Sequence, residues 1–244
     1  MANFDLFKGR ILQIEGGYQD DPDDSGNYDS RGRLVGTNYG ISAKRLEDYR
    51  GRSITVHEMK NLTVHEAVSI YKKFYWDKHR MGDFQDQDLS ELVCDGIIHH
   101  GPGGRNQSGG VTILQKALNE MGESLTEDGI IGSETLAAVD RQTANNKPQL
   151  YNTIRFGRLE LFDIIVANKP SKSKFLLGWQ NRINNYFPAL SEEDQSNISP
   201  KHQVYYYTTG IKDVGRSDSA RREWAIILCV LILLIGGIYW YRRL

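Results

Sequence analysis

The residues best placed to do chemistry lie in one short stretch, Ile11-Leu-Gln-Ile-Glu-Gly-Gly-Tyr-Gln-Asp-Asp-Pro-Asp-Asp24. Phe4, Leu6, Phe7, Ile11 and Ile14 recur at helical spacing, which predicts an amphipathic first helix with Glu15 near its C-terminal end. Gly16 and Gly17 permit a left-handed cap that turns the chain back. Asp20, Asp21, Asp23 and Asp24 then crowd a turn around Pro22. Folded over the helix end, this arrangement sets one carboxyl against an apolar wall and others in a wet loop. Hydrolysis of a glycosidic bond asks for such a pair, one carboxyl kept protonated as acid and one ionised. A surface glutamate before a helix cap, followed by aspartates that only cap a turn, would show the same local pattern. Spacing alone leaves the two readings evenly matched.

A longer pattern separates them. Glu15-Gly-Gly-Tyr18, Asp21-Pro22, Asp24, Gly26 and Thr37-Asn-Tyr-Gly-Ile41 resemble the glycoside hydrolase family 108 muramidases, which are phage endolysins and bacterial secretion-activator relatives. The resemblance continues through residues 71–76, 95–102, 128–135 and 178–182, and covers roughly residues 4–188 in the family's order. The order Glu15, Asp24, Thr37 is also similar to the Glu/Asp/Thr site of phage-type lysozymes, with residues 27–36 as an insertion. The resemblance implies a peptidoglycan hydrolase, an N-acetylmuramidase that cuts the β-1,4 bond between N-acetylmuramic acid and N-acetylglucosamine without a cofactor. In that setting Glu15 is the general acid, and Asp24 is the second carboxylate or the group that holds water, with Asp21 and Asp23 as rivals. Thr37 orients water through its hydroxyl. Tyr18, Asp21, Tyr39, His100 and Trp179 are the candidate substrate contacts. The alternative is a binding or structural virion protein that keeps the lysozyme-like fold without turnover.

Asp95 and His99, four apart on one helical face, invite a metal reading. Adjacent His99 and His100 point apart on a helix, however, and no third ligand has matching spacing, so no metal site is expected.

The elements that must position these residues read as mostly helical. A β-hairpin is expected over 27–36, with Arg31-Gly-Arg33 at its tip as one lip of a cleft. A helix over 41–51 has Ser42 as its cap. Capping boxes at Thr55-Val-His-Glu58 and Thr63-Val-His-Glu66 open two more, and Asp88-Leu-Ser-Glu91 opens a helix over 92–99. Further helices are expected near Val111 to Met121 and over 133–140, 149–167 and 174–187. The expected class is therefore α+β, a mostly helical lysozyme-like domain with a small β-hairpin. Residues 1–104 form its catalytic domain and 105–190 a helical peptidoglycan-binding-like part packed on it.

Composition excludes one class of partner. Thirty Lys and Arg against 31 Asp and Glu leave the 244-residue chain nearly neutral, which gives nucleic acid no basic surface to bind. Cys94 and Cys229 are too few and too differently placed for a disulfide framework. The start, Met-Ala-Asn-Phe-Asp, lacks the basic-then-apolar pattern of a signal peptide. Residues 191–220 read as a polar linker and 221–244 as a transmembrane anchor. The uncharged run Trp224 to Tyr241 spans about 27 Å as a helix and is flanked by Arg221, Arg222, Arg242 and Arg243. Lipid bilayer is thus an expected partner, with virion proteins another. The expected location is a single-pass protein in a virion's internal membrane or a host inner membrane, its N-terminal domain on the cytoplasmic side.

Overall fold

The computed structural model describes residues 1–190, which fall in the compact unit Met1–Asn197. Helix α1 (Phe4–Ile14) starts at Asn3, whose side chain accepts a hydrogen bond from the Asp5 N–H. Phe4, Phe7 and Ile11 form its buried stripe, and both phenylalanines lie against Trp76 with ring centroids 5.5 and 5.7 Å away. Trp76 belongs to a π-helical turn, Lys72–Asp77, that prolongs α4 (Val64–Tyr71). Between α1 and α4 lie α2 (Ala43–Arg50) and α3 (Val56–Lys60). Ser42 caps α2, and Gly51, in the left-handed conformation, ends it. Thr55 and Glu58 form the reciprocal box expected at α3. Thr63 accepts from Glu66 N–H at α4, but the Glu66 carboxylate turns away to grip the Arg50 guanidinium with two 2.8 Å bonds.

Helix α5 (Gln87–His100) is the axis of the domain: Leu89 to Ile97 are all buried. A helix buried on every side must satisfy any charge it carries from its neighbours. It begins earlier than the sequence suggests, because Asp86 rather than Asp88 caps it, accepting from Leu89 N–H at 3.0 Å. The Asp88 carboxylate, like that of Asp86, pairs with Lys147. Against α5 pack α6 (Gly110–Glu120) and α7 (Ser133–Asn168), with Gly96 and Gly110 meeting backbone to backbone at the α5–α6 crossing. Helix α7 contains a break at Asn146, two residues before Pro148, and resumes with the Asn146 side chain accepting from Gln149 N–H. Helix α8 (Ser173–Tyr186) then returns along α7 and touches α1.

The fold is helical throughout: no β-strand forms among the described residues, which corrects the expected α+β class. The hairpin over 27–36 reduces to an isolated bridge between Tyr28 and Leu34. The physical cause is Asp29, whose buried carboxylate takes the N–H groups of Arg31 and Arg33 and the Arg33 guanidinium. A side chain that claims those donors leaves too few for a ladder. Gly16 and Gly17 do not adopt the left-handed cap; Glu15 itself is extended at φ −86°, ψ 132°. The membrane-anchored location is corrected as well. No helix among the described residues is long and apolar enough to cross a membrane. The expected linker and the run Trp224 to Tyr241 lie outside the described residues.

Candidate active site

Glu15 is the first residue past α1, and its N–H still bonds to Ile11 C=O at 2.9 Å, so the carboxyl leaves the helix in a fixed direction. It points into the protein, with 14% of its side chain exposed. One oxygen, Oε1, accepts from Arg182 Nη2 at 2.8 Å. The other, Oε2, lies against Gly40, where a β-carbon would collide with it and with the Tyr71 hydroxyl. Gly40 (φ +69°) and Tyr39 (φ +47°) form a tight left-handed turn closed by hydrogen bonds between Asn38 and Ile41. The Tyr71 hydroxyl donates to Tyr39 C=O at 2.8 Å and locks that turn in place.

Behind Glu15 runs a chain of charges. Arg182 grips Asp95 through Nη2 at 2.7 Å and Nε at 3.1 Å, and Asp95 accepts in turn from Arg158 Nη2 at 2.6 Å. Asp95 and Arg158 are fully buried. Burial works against ionising Asp95, but the charges of Arg182 and Arg158 overcome it and hold its carboxyl well below the usual carboxylate range. Arg182 is stabilised as a cation, since Asp95 and Glu15 outweigh its own burial. Glu15 goes the other way. Desolvation raises its proton affinity above that of an ordinary glutamate, and the charge and hydrogen bond of Arg182 only partly offset this.

The Asp turn and Glu15 border one cleft of about 660 Å³, whose lining includes Glu15, Gln19, Asp24, Thr37 and Gly40 together with His99, His100, Phe175, Trp179 and Arg182. Asp24 caps the short 3-10 turn Ser25–Asn27 through Oδ1, and Oδ2 accepts from Gln19 Nε2 at 3.0 Å. A carboxylate offers about four acceptor positions, so both oxygens keep room for a water or a substrate hydroxyl. Gln19 organises this lip: its Oε1 accepts from Asp21 N–H and Asn27 Nδ2, and its backbone exchanges hydrogen bonds with Thr37. The Thr37 hydroxyl oxygen is buried at the cleft with no partner among the described residues.

Part of the lining is aromatic. Trp179 stacks on Phe175 (centroids 6.0 Å, planes 22° apart) and, through Phe162, meets His99 and His100. His99 Nδ1 and His100 Nε2 are buried without hydrogen-bond partners among the described residues. Burial depresses both imidazoles, His100 to about 3, so they line the cleft as neutral rings. Asp95, the residue that would have joined His99 in a metal site, is committed to the two arginines.

Of the residues singled out in the sequence, Glu15, Asp24, Thr37, His100 and Trp179 meet around this cleft. Tyr18, Asp21 and Tyr39 lie outside its lining. The Tyr18 hydroxyl is spent on Val35 C=O and Asp20, and its ring fills the space beside Gly36. The Asp21 side chain caps Asp23 N–H in the exposed turn, and Tyr39 contributes its carbonyl. Sequence reasoning missed Gln19, Asp95, Phe175 and Arg182 as parts of the site. Arg182 stood at the end of a noticed motif, but nothing local ties it to a carboxyl 167 residues away.

Residues 9–101 match the Glycosyl hydrolase 108 family, and residues 109–184 match a family described as Predicted Peptidoglycan domain. Among solved structures, the chain is similar to SagA of Brucella abortus, with 31% identity and a TM-score of 0.59, over 75% of this chain and 90% of that one. A search of curated proteins returned no match. None of these comparisons bears on a phage origin or a virion partner. A carboxyl whose proton affinity burial raises, an aspartate lining the same cleft and matches over nearly the whole described length occur together in this chain. The chain belongs to the glycosyl hydrolase 108 family and is a lysozyme-like glycoside hydrolase that acts on peptidoglycan.

Proposed function

We propose that the enzyme cleaves the β-1,4 bond between N-acetylmuramic acid and N-acetylglucosamine, with Glu15 as general acid. The observation that carries this reading is the seat of the Glu15 carboxyl, desolvated at the cleft with one oxygen held by Arg182 and the other set against Gly40. An oxygen that accepts from a guanidinium is the carbonyl-like one, so the proton resides on Oε2. Transfer of that proton to the bridging oxygen lets the glycosidic C–O bond break and the leaving sugar depart as an alcohol. Positive charge develops at the anomeric carbon, and Asp24 supplies the opposing negative charge. Water, oriented by the free Thr37 hydroxyl, adds to that carbon. Its proton passes to Asp24 if the water attacks directly, or back to Glu15 if Asp24 has first bonded to the sugar.

Residues 1–104 carry this chemistry in the reading, and 105–190 supply wall binding. The Phe175–Trp179 platform stacks on sugar faces, and the neutral His100 ring beside it offers a hydrogen bond to a sugar substituent. Tyr18 and Tyr39 act indirectly, by fixing the turns that carry Asp24 and Gly40.

Glu15→Gln keeps the shape and the acceptor for Arg182 but has no acidic proton. It should fold normally and digest purified sacculi roughly 10²- to 10⁴-fold more slowly. Asp24→Asn should lose activity strongly but less completely. Mass spectrometry of wild-type digests should show reducing muramic acid ends; reducing glucosamine ends would reassign the bond, and a fully active Glu15→Gln would remove the acid from its post.

A further inference from the structure

The arginine that holds Glu15 comes from α8, in the part of the chain that matches the peptidoglycan domain, whereas Glu15 belongs to the part that matches the hydrolase family. We infer that Arg182 is a positioning residue for the hydrolytic step, so the peptidoglycan-domain segment completes the acid site in addition to any hold it has on the wall. This rests on the reading of Glu15 as the acid.

Geometry supports it first. Arg182 Nη2 reaches both Asp95 and Glu15, at 2.7 and 2.8 Å, while Nε adds a second bond to Asp95. Asp95 is itself fixed from behind by Arg158, so the guanidinium plane is clamped and the Glu15 carboxyl is aimed by a rigid chain rather than by a loose surface pair. Charge supports it next. With Glu15 protonated, Asp95, Arg158 and Arg182 sum to one positive charge; once Glu15 has given up its proton, the four groups balance. The hydrogen bond from Arg182 therefore strengthens as the proton leaves for the glycosidic oxygen. An interaction that grows along the reaction path stabilises the transition state more than the bound substrate and shows in kcat rather than KM.

The other groups facing Glu15 do not duplicate this role. Tyr71 on α4 is a neutral phenol whose hydroxyl is committed to Tyr39. Asp95 on α5 is an anion that repels a Glu15 carboxylate. His99 and His100 at the end of α5 are held neutral by burial, and the turn at Gly40 brings no charge.

The test is the pH dependence of kcat and KM on soluble peptidoglycan fragments, using the full chain and the variants Arg182→Gln and Arg182→Lys, with folding checked by circular dichroism. Arg182→Gln leaves the Asp95–Arg158 pair intact. It should lower kcat on the order of 10²-fold with KM nearly unchanged. Loss of the cation raises the proton affinity of Glu15, and activity requires its protonated form. The alkaline limb of the profile should therefore move up by about one pH unit. Arg182→Lys keeps the charge without the fork, so its limb should return to the wild-type position with kcat only partly restored. A folded Arg182→Gln with wild-type kcat and an unmoved limb would overturn the inference. If that variant does not fold, Arg182→Lys decides: lowered kcat at constant KM supports the role, and wild-type kcat and KM reject it. An inactive Glu15→Gln beside an unaffected Arg182 variant sinks this inference alone, while an active Glu15→Gln sinks the acid assignment beneath it.

Discussion

At the scale of single residues, the cleft depends on one position with no side chain at all. Gly40 sits at φ +69° with Glu15 Oε2 and the Tyr71 hydroxyl where a β-carbon would go. Gly40→Ala should cost about 1–3 kcal/mol of stability, from the left-handed backbone and the collision together. Thermal unfolding reads that loss, and the lytic rate should fall at least about tenfold as the carboxyl is pushed off its partner. A variant with wild-type lysis would mean that Glu15 does not need this seat. The buried histidines give a second residue-level prediction. Because His99 and His100 stay neutral in the fold, the unfolded chain binds more protons below about pH 6.5. Their contribution to stability is complete above that pH and is lost as pH falls toward the folded values. Thermal midpoints measured from pH 7 to 4 should therefore drop, and His100→Gln should flatten the slope; an equally steep slope would point to another group. That Glu15, Asp24 and Thr37 lie together was legible in the sequence because their motifs are local. Gln19, Asp95 and Arg182 were not, because their partners are set by packing.

At the scale of elements, chain ends were easier to read than pairings. Ser42, Thr55 and Thr63 start helices where their side chains can meet an N–H three residues on, a relation visible in sequence. The start of α5 was misplaced because Asp86 and Asp88 offer the same cap; Asp86 supplies it through Oδ1, and Lys147 pairs with both carboxylates. The hairpin failed for a related reason, since Asp29 outcompetes the opposite strand. The helices expected over 133–140 and 149–167 run together as α7, with the interruption narrowed to Asn146, two residues before Pro148. There the Asn146 side chain caps the second segment at 3.0 Å. Asn146→Ala should lower stability by about 1 kcal/mol in urea titrations. No change in midpoint would show that Pro148 and the packing of α7 fix the break unaided.

At the scale of the whole molecule, the family was readable from motifs spread along the chain, whereas the union of its two matched segments at one carboxyl was not, because no short-range pattern encodes it. The residues on which membrane anchoring was expected lie outside those described, and the described helices give it no support. The ion pair across 167 residues has a further consequence for how the protein comes apart. In α8 only Ile183 is buried, so this helix is held by much less apolar contact than α5 or α6. Elements with little burial detach at lower free energy than the body to which they are docked. Each time α8 lifts away, Arg182 goes with it and Glu15 loses its counter-charge while the rest of the bundle stays folded. In rising urea, lytic activity should therefore fade before the far-ultraviolet helical signal does; coincident curves would show that α8 opens only with the global fold. The Glu15 cleft would then be softer than the domain that carries it, with inactivation a reversible undocking that precedes denaturation.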